Sequence, residues 1–483
     1  MNNKYGFNLI IRIMTKIILH VRSLVFLPII TKNFDASTYG IWTQVNILIT
    51  LMVPLLIFKL DISNIRYLAS KPKDKSFNIS YFSNLFFILI LFIPLLLIIF
   101  SYKGFFSELI FNSNNLFLLY VFMILLLIKT IYLYLLNYYK IVNRIDKYSL
   151  IEVFTSIFSI LSGGIVVVLW KNIIGIFITF IIVELISIIY IFIDIIKEIG
   201  LPIKFDFTIV KKFLAYSVPL MPNAILFWII NYSDRIFILK LLGKDQLGFY
   251  SASYSIGQLS IFFITPISFV LFPIISNLWE NNEIELVKKY IQKSIYYYMF
   301  FSIPSIFGLY VLSSDLLIFL ADETYVTDGN LIMFIILGFF SVGFFKIFVN
   351  ILYLKEKTKS LPIVYLFVSL INLFLNYIFI PKFGIEGAAI ATFISFGLQG
   401  IIIYFLTNKL LKIDLNYAYY FKIIFSSLVM FFMINMFNPN SFSSIVFIVF
   451  IGLGTYLLLL WILNGFYDDF NIYKNKLLEI INF

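Results

Sequence analysis

The sequence predicts an all-α polytopic membrane protein with about 14 transmembrane helices. Three observations carry this: composition, the recurrence of long apolar runs, and the distribution of basic residues among the loops. Of 483 residues, 61% are hydrophobic and only 13% are charged. A soluble domain carries about 25% charged residues to hydrate its surface, so the natural solvent of this chain is lipid.

A spanning helix needs roughly 20 mainly apolar residues. Such runs occur at 8–31, 39–58, 81–101, 115–138, 149–169 and 173–194, and after a polar connector at 212–234, 247–278, 294–314, 329–354, 361–380, 385–407, 417–437 and 442–464. The runs are continuous rather than alternating, which argues against strands. Helices satisfy their backbone groups internally, as hydrocarbon demands. The first run contains Arg12, Lys16, His20 and Arg22 and has no small-residue cleavage site after it, so it reads as a helix of the protein and not as a signal peptide.

The loops supply an independent test. With the N-terminus inside, inner segments hold 23 of the 36 Lys and Arg and outer loops seven. The outer loop 315–328 has four acids (Asp315, Asp322, Glu323, Asp328) and no base. This is the positive-inside bias. Both termini are therefore expected in the cytoplasm. With bases so placed, the net charge of +11 reads as topology and not as a nucleic-acid footprint.

There is no cysteine, which excludes disulfides and thiolate chemistry, and the single histidine, His20, leaves no His-based metal site. The polar connector divides the first twelve helices into six and six. The expected organisation is an N-terminal lobe at 1–196, a cytoplasmic connector at 197–211, a C-terminal lobe at 212–407, and two further helices with a cytoplasmic tail at 408–483. The segment Thr31–Trp42 resembles Leu239–Tyr250, with Gly40 over Gly248, and Gly175–Thr179 resembles Gly387–Ala391 at nearly the same offset. Two matches in one order suggest an internal duplication about an axis along the membrane normal.

Three stretches carry a family resemblance: Tyr216-Ser-Val-Pro219-Leu-Met-Pro222 followed by Ser233-Asp234-Arg235, then Leu247-Gly-Phe-Tyr250-Ser-Ala252, and Phe383-Gly-Ile-Glu-Gly-Ala-Ala-Ile-Ala-Thr392. They resemble the seventh-helix region and the eleventh-to-twelfth helix turn of bacterial oligosaccharidyl-lipid flippases. These form the polysaccharide branch of the multidrug/oligosaccharidyl-lipid/polysaccharide exporter superfamily. The resemblance implies two six-helix lobes in a V around a central cavity, with two extra C-terminal helices. It also implies a bacterial plasma-membrane transporter that flips an undecaprenyl-diphosphate-linked oligosaccharide, O-antigen repeat units being the commonest cargo. The implied partners are that lipid-linked substrate, membrane lipid, and a glycan polymerase and chain-length regulator. No cofactor is implied beyond a coupling Na+ or H+.

Candidate site residues follow from the cost of charge in lipid. Arg12, Lys16 and His20 are spaced by four and share one helix face with Ser23. Each charge deep in the bilayer costs roughly 2.5–3.5 kcal/mol on an insertion scale, so together they should line a wet cavity. With Arg22, Lys129 and Lys346 they form the candidate set for a diphosphate or glycan, since cations in a low-dielectric cleft concentrate an anion. For Arg12 and Lys346, reaching the headgroups is an equal or stronger explanation. Glu184 reads first as an ion-pair partner and second as a coupling-ion site, with Asp234, Asn223 and Asn231 as alternatives. Pro219 and Pro222 are hinge candidates, and Asn372 and Asn376 suit interhelical hydrogen bonding. Two other readings are weaker. A cation-coupled drug extruder would want deep carboxylates where this chain has mainly bases, and a glycan polymerase or ligase would want a large outer catalytic loop.

Reporter fusions at Asn330 and Phe483 test the topology. The expected result is an outer signal at Asn330 and a cytoplasmic one at Phe483.

Overall fold

The structure, a computed structural model, describes residues 2–69, 72–201, 204–327, 329–439 and 441–466. Its described residues are mainly helical, with no strand among them. By Cα proximity the chain falls into two compact units, Met1–Gly248 and Phe249–Phe483. The first contains α1 (Asn2–Thr31), α2 (Ala36–Leu56), α3 (Leu60–Leu68), α4 (Lys75–Ser101), α5 (Lys103–Phe111), α6 (Leu116–Leu136), α7 (Tyr138–Ile141), α8 (Ile145–Trp170), α9 (Ile173–Ile199), α10 (Phe207–Ser217) and α11 (Met221–Leu241). Next come α12 (Lys244–Gly257), which crosses the boundary, then α13 (Ile264–Glu280), α14 (Ile284–Val311) and α15 (Ser313–Leu320). The chain continues with α16 (Gly329–Leu354), α17 (Ser360–Asn408), α18 (Tyr417–Ile434) and α19 (Phe442–Ile462).

Among the described residues, twelve helices are long and apolar enough to cross a membrane by length and composition. That count takes α17 as one helix, but Gly384 breaks it with φ 61° and ψ −142°, a conformation open essentially to glycine. It also omits α1, whose 30 residues give ample length although bases interrupt its apolar run. Allowing for both, the described helices agree with the expected count of about 14. The Gly384 break falls in the Phe383–Thr392 motif and is the turn between helices eleven and twelve. A side chain on nearby Gly387 would stand 2.2 Å from the Phe379 carbonyl oxygen.

Each unit has its own apolar core. In the first, Tyr81, Tyr134, Tyr138 and Tyr139 are all fully buried. Their hydroxyls avoid the penalty of burial where partners are built in: Tyr134 donates to the Tyr81 carbonyl at 2.8 Å, Tyr138 to Glu198 at 2.7 Å and Tyr139 to Asp194 at 2.8 Å. Glu198 also binds Arg144 and Lys73, and Asp194 binds Lys147 at 3.0 Å. The end of α9 thus gathers bases from two loops that the charge bias assigns to the inside. The second core packs α14 against α16, α18 and α19. Outward faces carry large exposed apolar side chains such as Phe421, Phe432 and Phe450, as lipid contact requires.

The connector is shorter and more tightly held than the expected 197–211. Helix α9 runs to Ile199 and α10 starts at Phe207. Asp206 caps α10, its carboxylate held below the usual range by the Thr208 hydroxyl and backbone N–H. Asn78 donates to the carbonyls of Ile199, Gly200 and Leu201 at 2.8, 3.1 and 2.9 Å, and Ser83 accepts from the Asp206 N–H at 2.9 Å. These bonds fasten the connector along α4. Helix α10 packs on α3 and α4, so by contact the segment expected to open the second lobe groups with the first unit. The chain breaks again at a 3-10 turn, Val218–Leu220, which contains Pro219 and is followed by Pro222 in the first turn of α11.

The two glycines paired by the repeat meet in space. A Cβ on Gly40 would lie 2.2 Å from the Lys244 carbonyl oxygen, and one on Gly248 would lie 2.1 Å from that of Ala36. Each glycine meets the residue four before its counterpart. Such reciprocal contact is what a local twofold between duplicated segments produces. Gly40→Val or Gly248→Val should therefore destabilise the protein by about 1–3 kcal/mol, the usual penalty of overpacking. Thermal unfolding in detergent would read this as a lowered midpoint, with Gly104→Val, whose surroundings are open, as the control.

A charged cluster in the first unit

Helix α1 packs on α8, and α8 supplies a stripe spaced by four: Tyr148, Glu152 and Ser156. The Arg12 guanidinium binds the Glu152 carboxylate and lies 4.6 Å from the Tyr148 ring centre, with Lys140 4.4 Å from that ring. Arg22 donates through Nη1 to the Ser156 hydroxyl. Helix α9 packs on both α6 and α8. It presents Glu184, 2% exposed, to Lys129 of α6, whose ammonium binds Oε1. Arg22 lies within electrostatic reach of both Glu184 and Glu152. Lys16 is exposed on α1. The side chains of His20 and Ser23 lie outside the described residues.

The structure thus brings Arg12, Arg22, Lys129 and Glu184 into one cluster on α1, α6, α8 and α9. It adds Glu152, which the sequence reading missed. That acid falls near the start of the expected span 149–169, where a carboxylate reads as an ordinary first-turn residue. Its spacing of four from Tyr148 and from Ser156 is the signal that could have found it. Glu184 is therefore one of two acids that meet bases in this cluster. Breaking a buried pair leaves a charge without a partner, which explains why each base has an acid or hydroxyl behind it.

The other candidates sit elsewhere. Arg235 binds its neighbour Asp234 at 3.0 Å and donates to the Asn231 carbonyl at 3.0 Å, while the Asn231 amide donates to Phe227 at 2.7 Å. Both residues of the pair are buried within α11, further from the helix end than the sequence places them. Asn223 lines a cleft of about 530 Å³ between α2 and α11, together with Thr50, Lys59, Phe227, Trp228 and Tyr232. Trp228 Nε1 donates to the Ile47 carbonyl at 3.2 Å and to Thr50 at 3.1 Å, tying the two helices. Lys59 and Phe58 have φ of 52° and 54°, an uncommon left-handed pair that turns the chain at the rim of the cleft. Lys346 lies on α16 of the second unit and has no acidic partner among the described residues. Asn376 donates to Asn372 at 3.0 Å and Asn372 to Ser395 at 3.1 Å, joining the halves of α17.

The described residues form an all-helical, polytopic membrane protein with ion pairs inside its first unit. The family model described as "Polysaccharide biosynthesis protein" matches residues 6–279, and that described as "MatE" matches 219–378. The chain belongs to the polysaccharide biosynthesis protein family, within the multidrug/oligosaccharidyl-lipid/polysaccharide exporter superfamily. It is 24% identical over 201 residues to the "Probable low-salt glycan biosynthesis flippase Agl15" of Haloferax volcanii, covering 41% of this chain and 42% of that protein. It is also 24% identical over 186 residues to the "Putative O-antigen transporter" of Shigella flexneri, covering 38% and 44%. The matches thus span under half the length of these curated relatives. In fold, it is similar to a lipid II flippase, MurJ, in an inward closed conformation, with a TM-score of 0.71 and 23% identity over 94% of this chain and 97% of that one.

A double-mutant cycle tests the Lys129–Glu184 pair. Lys129→Met and Glu184→Gln should each cost about 2–3 kcal/mol, the lower end for a buried pair because Lys129 is 30% exposed. The double variant should cost clearly less than the two together. Additive effects in the unfolding free energy would mean the two side chains do not interact.

Proposed function

We propose that this protein flips an undecaprenyl-diphosphate-linked oligosaccharide, of the O-antigen repeat-unit kind, from the inner to the outer leaflet of a bacterial plasma membrane. The membrane-embedded bases Arg12, Arg22 and Lys129 carry the reading. These three bases outnumber the acids Glu152 and Glu184 beside them, so the cluster keeps net positive charge after internal pairing. A diphosphate is the anion such a cluster suits, because charge-assisted bonds are strongest in a low dielectric. The flippase and O-antigen transporter names of two relatives agree with a lipid-linked glycan. Alternating access, coupling to Na+ or H+, bending at Pro219 and Pro222, and cytoplasmic termini complete the proposal.

A cation-coupled drug extruder is the competing reading, and the MatE match favours it. Such a pump needs acids available to a cation, whereas Glu184 and Asp234 are both engaged by bases. The anionic cargo is the better fit.

The test is surface-polysaccharide display in a flippase-null cell carrying a variant neutralised at Lys16, Arg22 and Lys129. The expected outcome is normal abundance in the membrane with loss of display. Lys↔Arg exchanges should rescue in part, because net charge matters more here than fork geometry. Full display from the triple variant at normal abundance would defeat the proposal.

A further inference from the structure

We infer that Glu184 is an internal counter-anion that competes with the cargo's phosphate for Lys129 and Arg22, and thereby limits how tightly the cargo is held. The inference rests on the diphosphate reading of the cargo.

Three observations lead to it. Glu184 uses one carboxylate oxygen on Lys129, while Oε2 is buried and has no hydrogen-bond partner among the described residues. Arg22, in electrostatic reach of that carboxylate, binds Ser156 through Nη1 but leaves Nε buried and unsatisfied among the same residues. Lys129 keeps 30% of its side chain exposed, whereas the acid behind it is almost wholly enclosed. The base is therefore reachable from one side and neutralised from the other. A buried carboxylate or guanidinium with unused bonding capacity is costly, so the packing around this pair serves something other than maximum stability.

In the empty protein, Glu184 supplies the negative charge that Lys129 would otherwise lack in lipid. An ammonium has three donors on a flexible stem and can turn toward a second anion without losing the first. When a diphosphate arrives, it shares Lys129 and Arg22 with Glu184 and is repelled by that carboxylate. Binding is then strong enough for entry and weak enough for release, the compromise that conduction through any pore or carrier requires. Glu152 also pairs with a base, Arg12, but is about as exposed as that base. Helix α4, also against α9, brings no charge except Lys75 at its start. Glu184 is thus a positioning residue, acting on the cargo through the bases.

The experiment uses the full chain in lipid nanodiscs and geranylgeranyl diphosphate as the probe, with binding titrated calorimetrically and thermal stability recorded on each sample. Glu184→Gln should bind the probe roughly tenfold more tightly, the size of one lost competing charge interaction. In a vesicle flipping assay it should lower the half-saturating concentration and the maximal rate together. Lys129→Met should weaken binding whether or not Glu184 is changed. A merely structural Glu184 would leave binding unchanged or weaker in Glu184→Gln, and that result overturns the inference. If Glu184→Gln does not fold, Glu184→Asp, which withdraws the carboxylate by one methylene, should show a smaller tightening. Equal or weaker binding there overturns it too. Failure of the wild-type protein to bind the probe would instead remove the diphosphate reading, and this inference with it.

Discussion

Charge inside a hydrocarbon slab must find a partner, and much of the first unit is arranged around that constraint. A lone base in mid-membrane costs several kcal/mol, comparable with a large part of a protein's net stability. Arg12, Arg22 and Lys129 are tolerated because Glu152, Ser156 and Glu184 come to them from α8 and α9. The packing of α1 on α8, and of α9 on α6 and α8, follows from the same need. The end of α9 repeats the solution nearer the interface, where Asp194 and Glu198 collect Lys147, Arg144 and Lys73.

This pairing also frames the functional argument. A cluster of bases fully matched by acids would be structural glue, while one with no acids would bind an anion and keep it. The observed cluster lies between these limits, with Glu184 on the enclosed side and partly exposed bases. An anion carrier needs that balance. The cleft between α2 and α11 adds aromatic surface, an amide and the single base Lys59 close to a strained turn.

Much of the fold was legible because membrane helices announce themselves by length and hydropathy. The apolar runs and the likeness of Gly40 to Gly248 could be read from residue pattern, and the turn at Gly384 from the family resemblance. The ends of the connector could not. The run of polar residues from Lys197 hides the last turn of α9 and the first of α10, which the Asp206 cap and the buried Val210 and Phe213 make helical. The partners of the deep bases were only half legible. Glu184 stands alone in an apolar run and is conspicuous, so its pairing with a base was the favoured reading. Glu152 is masked by its closeness to a helix start. Which acid meets which base is a matter of tertiary packing, and no single-helix period encodes it.

The central claim is that the protein carries a diphosphate-linked lipid across the bilayer by means of this cluster. The most direct test is reconstitution into vesicles containing a fluorescent prenyl-diphosphate disaccharide in both leaflets, with quencher added outside. The account predicts that wild-type protein makes inner-leaflet lipid accessible in minutes, and that protein neutralised at Arg22 and Lys129 does not, although it reconstitutes equally well. Equal rates for the two proteins, or no rate above protein-free vesicles for the wild type, would contradict it.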